Sequence, residues 1–113
     1  MTKRDYKPMV YICSPFAGDI ESNLMKARNY CRFAVDSGFM PIAPHLLFPQ
    51  FMNDSDERDE AMHMDIILLG KCEEVWVFGD FISQGMSFEI SKAKLWHRHI
   101  RYFDEDMKEV FHD

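Results

Sequence analysis

The segment from Gly79 to Glu89 carries side chains that could bind an anion and act on a bound substrate. Ser83 is placed to cap the start of a helix, and Gly85 would let a ligand approach the backbone closely. The exposed N–H groups of a helix N-terminus, together with a hydroxyl, form a natural anion site. Glu89 lies one turn into the same helix. An ordinary helix cap followed by a solvated glutamate also fits this segment, which leaves both interpretations open.

Asp80 and the histidines are the other candidates for chemistry. Asp80 comes two residues after an apolar run, where it could be a second acid that contacts substrate or a turn-forming residue. His97 and His99 straddle a predicted helix end, and neither His45 nor His63 has a partner at ligand spacing. Neither a metal ion nor another cofactor is therefore expected.

The composition excludes several classes of partner. The chain has 113 residues, 47% of them hydrophobic, which fits one domain over residues 1–113 with its own core. A net charge of −6 and the lack of a basic stretch argue against nucleic acid, whose backbone requires clustered cations. The longest apolar runs are far shorter than the roughly 20 residues of a transmembrane helix, so no membrane partner is expected.

The cysteines and the N-terminal residues predict a cytoplasmic protein. Cys13, Cys31 and Cys72 are odd in number and lack a Cys-x-x-Cys spacing, so reduced, buried thiols are expected rather than disulfides or a zinc ribbon. The first apolar run begins only at Met9 and ends at Cys13, which does not match a signal peptide.

These candidate residues must be positioned by regular elements, and the first half of the chain predicts a β-loop-α-β unit. The apolar run Met9–Cys13 predicts a strand buried on both faces. From Ile20, apolar residues recur at three- and four-residue steps and predict a helix that stops at Gly38. Phe39–Ala43 predicts a second strand, halted by Pro44. So short a crossover implies parallel pairing of the two strands.

The second half continues the alternation. The predicted elements are a helix that follows the cap residues Asp54–Glu57 and ends at Gly70, the strand Val75–Phe78, the helix Gly85–His97, the strand Ile100–Phe103 and a terminal helix Asp104–His112. This order predicts an α/β fold, a three-layer α/β/α sandwich of the Rossmann-like or flavodoxin-like type with a four- to five-stranded parallel sheet.

Ligands of such sheets bind at the carboxyl ends of the strands, where the strand order reverses. The loops expected there are Ser14–Asp19, Pro44–Asp54 and Gly79–Gln84. In the second loop, Phe48, Phe51 and Met52 are expected either to anchor the loop on the core or to form a lid that stacks on a bound base.

An ordered set of short motifs resembles the nucleoside 2-deoxyribosyltransferase superfamily over roughly residues 9–101. The set comprises Val10–Ser14 with Gly18, Ala43-Pro44-His45, Asp65, and Ser83-x-Gly85-x-x-x-Glu89-x-x-x-Ala93. Ser83 stands where the base-swapping transferases have an acidic residue and the 2′-deoxynucleoside 5′-monophosphate N-hydrolases have a serine. The spacing of Asp65 and Glu89 also matches the acids of those hydrolases. The chain is similar, too, to small phage and bacterial proteins of this fold without an assigned activity.

The resemblance implies hydrolysis of the N-glycosidic bond of a (deoxy)nucleoside 5′-monophosphate. Glu89 would be the nucleophile that traps an oxocarbenium-like sugar as a glycosyl ester. Asp65 would orient the sugar or Glu89, or handle a proton on the departing base. Tyr11 would hydrogen-bond to Glu89. The implied partner is a small-molecule nucleotide or nucleoside, and the family implies a homodimer or a higher homo-oligomer.

The resemblance also implies the binding residues. Four of them would hold the phosphate (Ser14, Gly18, Ser83 and Gly85), and His45 would border the base. Asp80 joins them as a candidate substrate contact on its position after the strand, not on the resemblance. The chain departs from the hydrolases in lacking their first-loop Gly-Ser and Arg, and in having no serine after Ser91. A nucleotide-binding protein without turnover, a nucleoside deoxyribosyltransferase and a structural protein whose motif is only a helix cap therefore remain as alternatives.

Overall fold

The computed structural model describes residues 5–53 and 55–111. The strands of its single sheet are Met9–Cys13 (β1), Met40–Ile42 (β2), Glu74–Phe78 (β3), His99–Phe103 (β4) and Glu109–Val110 (β5). The α-helices are Ile20–Asp36 (α1), Arg58–Gly70 (α2) and Gln84–Leu95 (α3). Two short 3-10 turns, Pro44–Leu46 and Phe48–Gln50, fill the loop between β2 and α2. None of the described helices combines the length and apolarity needed to cross a bilayer.

The sheet has the strand order β2-β1-β3-β4-β5. Strands β1 to β4 are parallel, and β5 pairs antiparallel with β4. The predicted α/β sandwich with a five-stranded sheet is therefore confirmed, and the antiparallel edge strand is the departure from a fully parallel sheet. The order is that of the flavodoxin-like folds, in which the direction of winding reverses between β1 and β3.

Side chains of the central strands alternate between the two faces of the sheet, as the pleat of a strand requires. On one face, Tyr30 and Ala34 of α1 pack in one cluster with residues of β1, β3 and β4, namely Val10, Ile12, Trp76, Phe78 and Phe103. On the other face, the cluster combines Leu69 of α2, the α3 residues Met86, Ile90 and Ala93, and the strand residues Tyr11, Cys13, Val75 and Val77. Both faces of β1 and β3 are buried, which explains why their sequences are unbroken apolar runs.

The end of the chain corrects the prediction of a terminal helix over Asp104–His112. The Asp104 carboxylate accepts hydrogen bonds from the backbone N–H groups of Asp106 (2.9 Å) and Lys108 (3.0 Å), which folds the segment into a turn. Met107 adopts a positive φ of 64° in that turn, and the chain returns as β5. A turn-forming aspartate thus overrides the weak helical pattern. His112 lies outside the described residues.

The start of α2 also differs from the predicted cap over Asp54–Glu57. Glu57 occupies the N-cap position but makes no side-chain hydrogen bond to the helix. Its carboxylate instead accepts from the backbone N–H of Asn53 (2.9 Å), while the Asn53 side chain accepts from Ser55 (2.9 Å). Glu57 therefore closes the preceding loop rather than capping the helix, and Asp54 lies outside the described residues.

Candidate active site

A cavity of about 500 Å³ opens at the carboxyl ends of β1 and β3. It lies where the winding of the sheet reverses, the position at which α/β sheets of this type bind ligands. Its walls come from the loops that follow β1, β2 and β3, and from α2 and α3. All three loops expected to face a ligand contribute lining residues, and the volume is in the range of small-molecule sites.

Glu89 lies at the inner end of this cavity, on the second turn of α3. Ser83 caps the helix, because its hydroxyl accepts a hydrogen bond from the backbone N–H of Met86 (3.2 Å). The Glu89 side chain is only 2% exposed, yet it lines the cavity. The Tyr11 hydroxyl donates to Oε2 of Glu89, as the sequence predicted, and the Cys13 thiol lies 3.5 Å from Oε1. The carboxyl is therefore held from β1 rather than solvated.

Asp65 approaches the same cavity from α2. It is 6% exposed and, with Glu89 and Ser14, is one of the buried polar residues in the described part of the chain. Helix α2 packs beside α3 over the sheet, which brings the two acids to one cavity although they are far apart in the sequence.

Burial perturbs the ionisation of both acids. Burial raises the pKa of Asp65 to about 7. It also raises the pKa of Glu89 to about 7, with the charge of Asp65 adding to the rise while the hydrogen bonds from Tyr11 and Cys13 oppose it. The two acids can therefore exchange protons with a substrate near neutral pH, since a general acid or base works best when its pKa lies near the working pH.

The outer part of the cavity contains most of the predicted binding residues. Gly18, His45, Ser83 and Gly85 all line it. Nε2 of His45 lies 3.0 Å from the carbonyl oxygen of Ser14; a carbonyl only accepts, so Nε2 is the protonated ring nitrogen. A Cβ on Gly85 would lie 3.3 Å from Cε of Met62, so a side chain here would require that methionine to shift slightly.

Two predicted binding residues do not line this cavity. Ser14 and Asp80 line a separate cavity of about 30 Å³ that is bordered by Tyr30 of α1 and by Glu105. The Ser14 hydroxyl is buried without a hydrogen-bond partner in the structure, and the link of Ser14 to the main cavity is the contact of its carbonyl oxygen with His45. The sequence placed both residues in the right loops, but the pleat directs Ser14 to the other side of β1.

Only some of the large apolar residues in the loop after β2 contact the cavity. Phe48 and Met52 line the cavity, whereas Phe51 does not and is 67% exposed. Phe16, which the sequence analysis did not single out, also lines the cavity, with its ring centre 5.1 Å from that of His45. The part of the cavity wall formed by the loops after β1 and β2 is therefore largely apolar and aromatic.

Arg58 is a lining residue that the sequence analysis missed. It occupies the first turn of α2, two turns before Asp65, and contributes a permanent positive charge to the cavity wall. The signal was present, since an arginine follows the acidic run at the expected helix start. Only the cap residues of that run were singled out, because whether an exposed arginine lines the cavity depends on how α2 packs. Within the described residues, no cluster of three or more His, Cys, Asp or Glu is placed to hold a metal ion.

Comparison with known proteins shows what the fold resembles. No curated protein sequence matches the chain significantly. Among solved structures, the 2-deoxyribosyltransferase of the psychrotolerant bacterium Bacillus psychrosaccharolyticus is similar, with a TM-score of 0.64 and 19% sequence identity. The match covers 92% of this chain and 77% of the other, and at that identity it establishes a common fold. A family model described as a domain of unknown function, DUF7768, matches residues 8–103, and the chain therefore belongs to that family.

Proposed function

We propose that the protein hydrolyses the N-glycosidic bond of a (deoxy)nucleoside 5′-monophosphate, with Glu89 as the nucleophile. The observation that carries the proposal is the Glu89 carboxyl, buried at the inner end of a substrate-sized cavity and held by Tyr11. A buried carboxyl that serves only stability is unfavourable, because desolvation penalises its charged form. A role in chemistry explains why an acid occupies this place in the core.

The reaction proceeds in two steps that use both acids. An oxygen of ionised Glu89 attacks C1′ as the C1′–N bond breaks, and the bonding electrons leave with the base, which takes a proton from Asp65. Asp65, now ionised, then removes a proton from water. The resulting hydroxide attacks C1′ of the glycosyl ester and releases Glu89, so the products are free base and sugar 5-phosphate. The raised pKa of Asp65 suits both of its roles.

The outer cavity supports a phosphorylated substrate. The N-terminus of α3, with Ser83 and Gly85, offers backbone N–H groups and a hydroxyl to an anion. Arg58 supplies a positive charge on the adjoining wall. A cavity whose reactive end holds two acids needs such a charge to bind a phosphate, and Arg58 would compensate for the first-loop arginine that this chain lacks.

Base transfer is the second candidate, favoured by the likeness in fold to a 2-deoxyribosyltransferase. The first step would be the same, and a second base rather than water would attack the glycosyl ester. Adding a labelled acceptor base to the reaction separates the two, because only transfer produces a labelled nucleoside or nucleotide.

Free base released from a panel of ribo- and deoxyribonucleoside 5′-monophosphates, measured by chromatography, tests the proposal directly. The wild type and Glu60→Gln, which changes an exposed glutamate of α2, are expected to release base, whereas Glu89→Gln is not. Intact-mass measurement of an acid-quenched reaction should show a sugar-phosphate adduct on the wild type. Equal release by the wild type and Glu89→Gln, or no release from any substrate, would contradict the proposal.

A further inference from the structure

We propose that Cys13 is a positioning residue for Glu89: its thiol holds Oε1 while Tyr11 holds Oε2, which fixes the plane of the nucleophilic carboxylate. The kinetic part of this inference rests on the proposed function. The contact itself does not, and it is tested separately below.

The geometry follows from the pleat of β1. Tyr11 and Cys13 are two residues apart and project to the same face of the sheet, whereas Val10 and Ile12 project to the other. Each of the two donors meets a different oxygen of Glu89, with the Cys13 Sγ atom 3.5 Å from Oε1. Cys13 is fully buried and Glu89 nearly so. A carboxylate with one donor could still rotate about its terminal bond, and the second donor removes that freedom.

Cys72 shows what a cysteine of this core does without such a contact. It belongs to the same apolar cluster as Cys13 and is also buried, at 2% exposure. Its thiol donates to the carbonyl oxygen of Leu68 (3.3 Å) in the last turn of α2, a contact that carries no titratable charge. The chain thus provides a matched pair, one buried thiol on the nucleophile and one on the backbone.

The surroundings of Glu89 define what the loss of the thiol would change. The titratable groups facing it are Tyr11 and Cys13 from β1 and Asp65 from α2, and Tyr102 of β4 lies near Cys13. The hydrogen bond from Cys13 favours ionised Glu89 and lowers its pKa, against the effect of burial. Removing the thiol leaves Oε1 without this donor and disfavours the ionised nucleophile, whereas a serine would still offer a donor.

The first experiment follows base release against pH for the wild type, Cys13→Ala, Cys13→Ser and Cys72→Ala. Because Glu89 must be ionised and Asp65 protonated, kcat/KM follows a bell-shaped pH profile, and its rising limb reports the ionisation of Glu89. Cys13→Ala is expected to move that rise to a pH about half a unit higher. At pH values below the rise, kcat/KM should be about threefold to fivefold lower than in the wild type, which corresponds to the free energy of one thiol hydrogen bond. Cys13→Ser should restore the wild-type profile, and Cys72→Ala should leave its position unchanged. The same position in both alanine variants would overturn the inference.

The second experiment needs no turnover. Thermal unfolding is measured at pH 5 and pH 8 for the same variants, alone and combined with Glu89→Gln. Cys13→Ala should lower Tm by about 2 °C more at pH 8 than at pH 5, whereas Cys72→Ala should lower it equally at both. The excess should vanish in the Glu89→Gln background. An excess that persists there would refute the contact, whereas a missing base release with the excess present would refute only the proposed function.

Discussion

The two faces of the sheet are built from the same strands but from different chemistry. The α1 face is aromatic: the ring centres of Tyr30 and Phe78 lie 4.1 Å apart, those of Phe78 and Phe103 lie 5.0 Å apart, and both pairs are stacked. The α2/α3 face contains smaller side chains, two buried acids and the main cavity.

This difference separates stability from chemistry within a small domain. On β1 and β3, alternate residues serve opposite faces, so apolar burial next to α1 can offset the unfavourable acids on the other side. Arg101 completes the aromatic face, with its guanidinium 4.9 Å from the ring centre of Trp76. We therefore expect substitutions on the α1 face to change stability, and substitutions of the two buried acids on the cavity face to change activity with little or no loss of stability.

The largest effect is expected from Glu89→Gln on the cavity face. Base release should fall by about 10³-fold or more, because the variant lacks the nucleophile. The free energy of unfolding at pH 8 should stay level or rise, since the variant no longer buries a carboxylate. Base release and urea unfolding, measured on the same samples, check the two expectations. A marked loss of stability at pH 8 would contradict the separation of stability and chemistry between the two faces.

The opposite result is expected from Trp76→Ala on the aromatic face. Removing this fully buried ring should lower the free energy of unfolding by about 3–5 kcal/mol. The kcat/KM per folded molecule should remain within about twofold, because Trp76 does not line the cavity. Phe103→Leu is the milder companion, with an expected loss of about 1–2 kcal/mol. Urea midpoints give the stability, and unchanged midpoints would contradict the role given to this face.

The pH dependence of stability should also come from the cavity face. The pKa values of Glu89 and Asp65 are both raised to about 7 in the folded protein, above their values near 4 in an unfolded chain. Their favourable contribution is therefore complete below pH about 4, falls progressively between pH 4 and 7, and is lost above that range, at a cost on the order of several kcal/mol. Unfolding at pH 5 and pH 8 measures it. The fall should shrink when Glu89→Gln and Asp65→Asn are combined, and Glu60→Gln should leave it unchanged.

The smallest effect is expected from a substitution of Arg58 in the wall of the cavity. Arg58→Gln should lower kcat/KM for a nucleoside monophosphate by about tenfold while leaving that for the unphosphorylated nucleoside unchanged, since the proposed contact of Arg58 with the substrate is through its phosphate. Arg28→Gln, an exposed site on α1, is the control. An equal loss of kcat/KM for both substrates would show that Arg58 does not bind the phosphate.

Most helices and strands were predictable because local sequence patterns specify them. The unbroken apolar runs of β1 and β3 and the three- to four-residue periodicity of α1 specify element type without reference to the rest of the molecule. The prediction of a helix in the terminal segment was wrong because its few residues fit several patterns. The turn found there depends on hydrogen bonds made by one carboxylate, that of Asp104. Ser83 was correctly placed as the cap of α3, since capping is a local interaction.

The sequence by itself determined the α/β order, the loops that face the cavity and the acids that could react, because these follow from periodicity and residue type along a few turns of chain. Only the tertiary structure decided that Ser14 and Asp80 lie at a separate small cavity, that Arg58 lines the main one and that Cys13 meets Glu89. The reason is that the direction of a side chain depends on the pleat and on helix packing, which join residues that local patterns treat as independent.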